Sequence, residues 1–406
     1  MRTILHCDLN NFFASVECRD NPDLRDVPIA VCGNEEERKG IVLAKNDLAK
    51  AFGVKTGEAI WEAKLKCRDL QIVHPHFNRY MHFSKEVYKI YTRYTDMIEP
   101  FGIDECWLDV TGSERLFGTG EEIAYKIKET VKKEQGLRIS VGVSFNKIFA
   151  KLGSDMKKPD AVTVITSKTF KYQIWNLPAS EILGVGKATK MKLDRFNIRT
   201  IGDIANSDEK FLIRTLGVSG TFLKRAAMGM DDSPVKNQDY EREVKSVGNS
   251  TTCIRDLQNN SEVWRIFLEL SQSVCHRLRE QNLSACGIQI TIRNCAFETI
   301  EFQQQLEEPL HSSLRLAQAG FKLFLEKYIW EKKVRMLGIR AIALIKTESF
   351  VQENFFIDTK KLEHQEKIDA TIDTLEKRYG TGIVTPLTLK IPLNIPDQKN
   401  KPSFFH

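Results

Sequence analysis

The sequence predicts an α+β, multidomain chain in which two βαββαβ units flank a helical, basic stretch. Three observations carry that expectation. At 406 residues the chain exceeds what one compact core accommodates, which points to roughly two to four domains. The succession strand, helix, two strands, helix, strand is legible twice in the periodicity of the apolar residues. Between the two copies, Lys187, Lys190, Lys192, Arg195 and Arg199 stand against the single acid Asp194, a run suited either to a solvated helix face or to phosphate.

In chain order, Ile4 to Leu9 is a strand that ends on an acid, Asp8. A segment rich in small and polar residues follows to about residue 76, with helical patterning around Val42–Phe52 and Glu58–Cys67. Tyr80 to Met97 is a further helix. Ile98 to Thr111 has apolar arms around Gly102-Ile103-Asp104-Glu105 and predicts a β-hairpin with acids at its bend. Ile123, Ile127 and Val131 recur at helical spacing, and Leu137 to Val143 is a β-branched strand. This is a ferredoxin-like βαββαβ order with one long insertion after the first strand. The second copy runs from Ser246–Ile254 through a helix marked by Val263, Ile266, Phe267, Leu270, Val274 and Leu278. Ile288, Ile290 and Ile292 alternate as a strand with Thr299–Gln304 as partner. A helix from Leu314 to Tyr328 follows, then the alternation Leu337, Ile339, Ala341, Ala343, Ile345. After residue 346 the chain becomes charged, and beyond Gly380 it carries four prolines.

Composition excludes several classes. No apolar run approaches the roughly 18 residues of a membrane span. An acid arrives too early for a secretory leader. Nine cysteines without a Cys-x-x-Cys pair read as reduced thiols of a cytoplasmic protein rather than a disulfide or zinc framework. The net charge of +6 is mild, so its distribution says more than its size.

Asp8 at a strand end and Asp104-Glu105 at a hairpin bend fall at one edge of one sheet if the βαββαβ reading holds. Three carboxylates so placed repel and are costly to desolvate unless cations lie among them. Magnesium, which takes oxygen ligands and substrate phosphates, fits. Two such ions about 3.5–4 Å apart would activate an attacking hydroxyl and stabilise a leaving pyrophosphate.

These residues sit in longer motifs. Asp8-Leu9-Asn10-Asn11-Phe12-Phe13-Ala14-Ser15-Val16-Glu17 and Ile103-Asp104-Glu105-Cys106-Trp107-Leu108-Asp109-Val110-Thr111 resemble the two acidic motifs of Y-family DNA polymerases. Phe52-Gly53-Val54-Lys55-Thr56-Gly57 and the run from Val141 to Asp160 extend the resemblance, which covers residues 1–345. It implies a right-hand architecture: palm (1–10 and 77–166), fingers (11–76), thumb (167–233), linker (234–243), little finger (244–345) and tail (346–406). It implies a low-fidelity, translesion, template-directed polymerase acting as a monomer on primer–template DNA and deoxynucleoside triphosphates. Asp8, Asp104, Glu105 and the Leu9 carbonyl would hold two magnesium ions. A primer 3′-hydroxyl would then attack the α-phosphate in line, releasing pyrophosphate. A catalytically dead repair scaffold would have lost metal acids. A palm-type nucleotide cyclase would need neither a second βαββαβ unit nor a helix–hairpin–helix.

The resemblance assigns the remaining site residues. Lys158 would contact the triphosphate as a point charge. Phe13, with Phe12 beside it, falls at the steric-gate position, five residues after Asp8; if the strand continues, the two rings point to opposite sides. In the fingers the family carries Ser/Thr, Tyr and Arg at three-residue intervals, whereas this chain has Ala44, Asp47 and Lys50. Two donors and an aromatic are replaced, and either Lys45 and Lys50 compensate or triphosphate binding is weaker. Leu183-Gly184-Val185-Gly186-Lys187 resembles the hairpin of a helix–hairpin–helix, so Gly184, Gly186, Lys187 and Lys190 are candidate duplex contacts. Arg293, Lys332, Lys333, Arg335 and Arg340 are candidates on the little finger. Gln352, Phe355 and Phe356, in Gln352-Glu353-Asn354-Phe355-Phe356, resemble a sliding-clamp-binding peptide.

Overall fold

The computed structural model describes residues 2–38, 40–347, 359–380 and 382–390. They pack as two units. One takes in residues up to Gly33 with Ile41–Glu241, the other Asn34–Gly40 with the residues from Arg242 onward.

The first unit opens with β1 (Ile4–Leu9), α1 (Phe12–Asp20), β2 (Ile29–Cys32), β3 (Val42–Lys45), α2 (Asp47–Ala51), α3 (Ile60–Lys66) and β4 (Gln71–Val73). It continues through α4 (Phe77–Tyr91), β5 (Ile98–Pro100), β6 (Glu105–Asp109), α5 (Glu114–Phe117), α6 (Gly120–Gln135), β7 (Ile139–Ser144), α7 (Lys147–Met156) and β8 (Val162–Ile165). Five strands form one sheet in the order β5-β6-β1-β7-β8, so the predicted βαββαβ core is present with β8 added at an edge. β1 lies between antiparallel partners and all six of its residues are buried, because both faces are covered. Alternation sorts its side chains. Leu5, Cys7 and Leu9 enter the core that holds residues of α4 and α6, while His6 and Asp8 reach groups of α7.

α7 approaches β7 through two glycines. A Cβ on Gly142 would stand 1.9 Å from the Ala150 carbonyl oxygen and 2.5 Å from the Ser154 nitrogen, both backbone atoms of the helix. Gly142→Ala is therefore expected to lower stability by about 1–3 kcal/mol or more, since backbone has nowhere to retreat. Urea denaturation checks this; an unchanged midpoint contradicts the packing.

Two sequence expectations need correction here. Val42–Lys45 is strand rather than helix. It pairs with β2, and the helix starts only after Asn46, whose side chain accepts the Ala49 N–H at 3.0 Å. The insertion thereby holds its own sheet, β3-β2-β4. The first strand does not continue into Phe12 and Phe13 either. Asn11 adopts a left-handed turn (φ 50°) and α1 begins at Phe12, so the two rings diverge around a helix instead of alternating across a strand. The basic stretch is helical as expected: α8 (Phe170–Ile174), α9 (Lys187–Asp194), α10 (Ile201–Asn206), α11 (Glu209–Leu216) and α12 (Val218–Ala227).

The second unit repeats the succession with β9 (Ser246–Leu257), α13 (Asn260–Glu280), β10 (Leu283–Asn294), β11 (Thr299–Leu310), α14 (Ser313–Lys327) and β12 (Val334–Lys346). Its strand order is β11-β10-β12-β9, so the repeated succession does not give a repeated sheet. Ile288, Ile290, Ile292, Leu337, Ile339 and Ala341 are buried with residues of α13 and α14. The charged tail contributes two helices the sequence reading lacked, α15 (Thr359–Tyr379) and α16 (Leu387–Lys390). Polar contacts to α13 and α14 hold the first. Arg279 reaches both Asp373 oxygens at 2.6 and 2.8 Å, and the Ser313 N–H donates to Asp369 at 3.3 Å. Among the described residues, no helix is long and apolar enough to cross a membrane.

Candidate active site

The antiparallel register sets Asp8 directly opposite Glu105, with Ser140 of β7 on the other side of Asp8. Asp104 precedes β6, and its carbonyl accepts the Leu9 N–H at 3.0 Å, which lays Leu9 and Asp104 side by side. α7 brings in one lysine and the turn after it a second. Lys151 Nζ lies 2.8 Å from Glu105, 3.3 Å from Asp8 and 3.3 Å from Asp155. Lys158 Nζ lies 2.7 Å from Asp8 and 2.8 Å from Asp155. Lys158 thus lies against Asp8; the sequence reading assigns it to the triphosphate.

Lys151, Asp155 and His6 were missed by the sequence reading, although their signal was present. Lys151 and Asp155 stand at i and i+4 on α7, Lys158 follows two residues past the helix end, and His6 precedes Asp8 by two, one strand face. His6 Nδ1 lies 2.8 Å from Ser154 Oγ, whose hydroxyl hydrogen goes to the Lys151 carbonyl. The imidazole therefore donates through Nδ1 and turns an unprotonated Nε2 toward Glu105, 3.5 Å away, without a hydrogen-bond donor among the described residues. Burial holds the His6 pKa below its ordinary value, consistent with a neutral ring.

The electrostatics are those of a site short of positive charge. Four carboxylates (Asp8, Asp104, Glu105, Asp155) face two ammonium groups (Lys151, Lys158). Burial pushes Asp8, 4% exposed, up to about 7 in spite of Lys158. Burial and then the Glu105 charge raise Asp104 to about 6. Burial would raise Glu105 as well, but the Lys151 ammonium 2.8 Å away outweighs it and holds this acid well below the carboxylate range. A cation among oxygen donors would relieve the two raised acids, and a water on that cation could donate to the orphaned His6 nitrogen. These residues fit a hard divalent ion. Their oxygens are not yet gathered: the three acids do not form a set with all ligand atoms within 4.8 Å of one another. Among the described residues only His276, Asp373 and Glu376 do, and there Asp373 is occupied by Arg279.

Around the acids, Phe13 is half-buried and stacks on Tyr80 with centroids 4.3 Å and planes 10° apart. Tyr80 is fully buried and its hydroxyl donates to Glu17. Phe12 is 3% exposed and belongs to the core. Lys50 is exposed on α2, close enough to the half-buried Lys45 to depress, after burial, that lysine's pKa. Asp47 does not present a bare charge. It accepts Arg138 Nη2 at 2.7 Å and Asn11 Nδ2 at 2.7 Å.

The candidate DNA contacts lie elsewhere. Gly184 has φ 100° and Gly186 precedes α9, where an added Cβ would meet nothing within 4 Å. A 3-10 turn (Ala179–Glu181) rather than an α-helix leads into this hairpin. Lys187 is exposed, and Lys190 pairs with Asp194 at 2.6 Å. In the second unit, Arg293 donates to Thr299 and Lys332 pairs with Glu298, while Arg335 stacks 4.7 Å over Phe297. Lys333 and Arg340 are exposed. Gln352, Phe355 and Phe356 lie outside the described residues.

The impB/mucB/samB family matches residues 7–155 and its C-terminal domain matches residues 244–355. DNA polymerase IV of Acetivibrio thermocellus is 50% identical over 381 residues, 93% of this chain and 95% of that protein. DNA polymerase IV 1 of Bacillus subtilis is 38% identical over 389 residues, 94% of this chain and 92% of that protein. A Y-family DNA polymerase chimera of solved structure shares the fold with a TM-score of 0.74 at 24% identity, covering 84% of this chain and 99% of its own. The family match over both units and the identity across nearly the whole length make this chain a member of the Y family of DNA polymerases.

Proposed function

We propose that the chain adds deoxynucleotides to a primer 3′-hydroxyl under template direction and extends primers across damaged, poorly pairing templates. The observation that carries this reading is the cluster at the β1–β6 edge, Asp8 opposite Glu105 with Asp104 adjoining, held against its own repulsion by Lys151 and Lys158. Asp8, the Leu9 carbonyl, Asp104 and Glu105 would hold two magnesium ions, which when bound supply Lewis acidity to the attacking and leaving oxygens. The chain's own groups do the rest. Lys158, two residues from Asp160, whose N–H donates to the Asn10 side chain, offers its charge to a triphosphate at the turn where α1 begins. Phe13, backed by Tyr80, closes the space beside the sugar. Thumb residues Gly184, Gly186, Lys187 and Lys190 and second-unit residues Arg293, Lys332, Lys333, Arg335 and Arg340 would hold primer–template DNA through its phosphates without reading sequence.

The test is single-nucleotide addition with magnesium, each deoxynucleotide offered opposite each template base, then repeated on lesion-bearing templates. The account expects pairing-directed addition on intact templates and residual extension past lesions. Addition that ignores the template base sinks the first part, and a complete stop at every lesion sinks the second. Gln352, Phe355 and Phe356 are proposed as a clamp-binding peptide. A Phe355→Ala, Phe356→Ala double variant is expected to lose stimulation by a bacterial sliding clamp while its unstimulated synthesis is unchanged; equal loss in both assays rejects the assignment.

A further inference from the structure

The fingers of this chain carry an acid, Asp47, where the nucleotide's phosphates would have to approach. Its partner Arg138 is anchored at the active-site edge of the palm. It immediately precedes β7, and its carbonyl accepts the Asn10 N–H at 2.9 Å. The Asn10 side chain in turn accepts the N–H of Asp160, two residues past Lys158, at 2.7 Å. Asn11 bonds Asp47 at 2.7 Å. The Asn10–Asn11 turn is therefore flanked by the Lys158 loop and by Arg138, and α1 starts from it.

Arg138 and Asp47 are each 42% exposed at the side chain, and among the described residues the guanidinium donates to Asp47 through Nη2. A guanidinium has five N–H donors in a planar fork, so most of its capacity is uncommitted. Beside the pair opens a cleft of about 360 Å³ whose lining includes Asn11, Ser15, Arg19, Arg25, Asp47 and Arg138. Asp47 does not depend on Arg138 for all its support. It keeps the Asn11 bond, and it sits in the first turn of α2, where a negative charge is favoured.

We propose that Arg138 binds the outer phosphates of the incoming nucleotide, and that Asp47 is the group it leaves to do so. Arg138 thus supplies from the palm the bidentate cation that Lys50 in the fingers does not. The exchange trades a monovalent carboxylate, held by one bond through Nη2, for a more highly charged phosphate that a guanidinium can engage at two points. This rests on the nucleotidyl-transfer reading above.

Steady-state single-nucleotide addition by the full chain on primed DNA with magnesium tests it, with thermal melting of each variant as the folding control. Arg138→Ala is expected to raise KM for the deoxynucleotide by about tenfold, on the order of one phosphate-binding contact, with kcat changed far less. Arg138→Lys should recover part of the loss. Asp47→Asn should lower KM, because it frees Arg138. A merely structural tie predicts that both variants raise KM together. That outcome, an Arg138→Ala variant with wild-type KM, or an Asp47→Asn variant whose KM does not fall overturns the proposal. A wild-type chain that adds no nucleotide would instead reject the polymerase reading on which it rests.

Discussion

Replacing Asp104 or Glu105 by Ala is expected to abolish primer extension, a fall of at least about 10³-fold, while leaving primer–template binding within a few-fold of wild type. The size follows from losing a metal ligand worth several kcal/mol to the transition state, at about 1.4 kcal/mol per factor of ten. The two variants should differ in stability. Glu105 is engaged by Lys151, so its removal leaves that ammonium short of a partner. Asp104 is the opposite case, since its pKa is raised to about 6, chiefly by burial. A carboxyl whose folded pKa exceeds its unfolded value costs stability once it ionises, and at neutral pH it is ionised in both states. Asp104→Ala should therefore be inactive yet melt at or above the wild-type temperature. Extension near the wild-type rate would remove Asp104 from the metal site, and a large fall in melting temperature would show that its role is structural.

The second large effect belongs to Phe13. Tyr80 is buried behind it, and the Tyr80 hydroxyl is tied to Glu17, so the Phe13 ring cannot retreat toward the core. A ribose hydroxyl meeting that ring would clash by about 1–3 kcal/mol, which is about 10–150-fold in rate. Phe13→Ala should raise the ratio of catalytic efficiencies for a ribonucleotide over its deoxy counterpart by that factor. Phe12→Leu, a conservative change in the core, should leave the ratio alone. An unchanged ratio in Phe13→Ala would place the gate elsewhere, and relaxation by Phe12→Leu would exchange the two roles.

The order of elements was legible because local periodicity writes it. Ile288, Ile290 and Ile292 alternate, and Ile123, Ile127 and Val131 recur at helical spacing whatever surrounds them. The acids were legible because adjacent Asp104-Glu105 and an acid ending an apolar strand are unusual locally. Groups defined by distant partners were not. Arg138 and Asp47 are 91 residues apart in sequence, and nothing near either marks the pairing. Strand order was equally hidden, since the two βαββαβ successions lead to different sheets. Phe12 and Phe13 were read on a strand because the motif runs on without punctuation. It is the left-handed Asn11 that ends the strand, and asparagine tolerates that conformation without announcing it.

The central claim is that Asp8, Asp104 and Glu105 together hold the ions that drive transfer. Manganese titration followed by electron paramagnetic resonance tests it most directly, using the full chain with dideoxy-terminated primer–template and the next correct deoxynucleotide. The account predicts two tightly held ions per complex in the wild type and at most one in Asp8→Ala, at matched DNA occupancy. Two ions retained by Asp8→Ala, or no tightly held ion in the wild type, would contradict it.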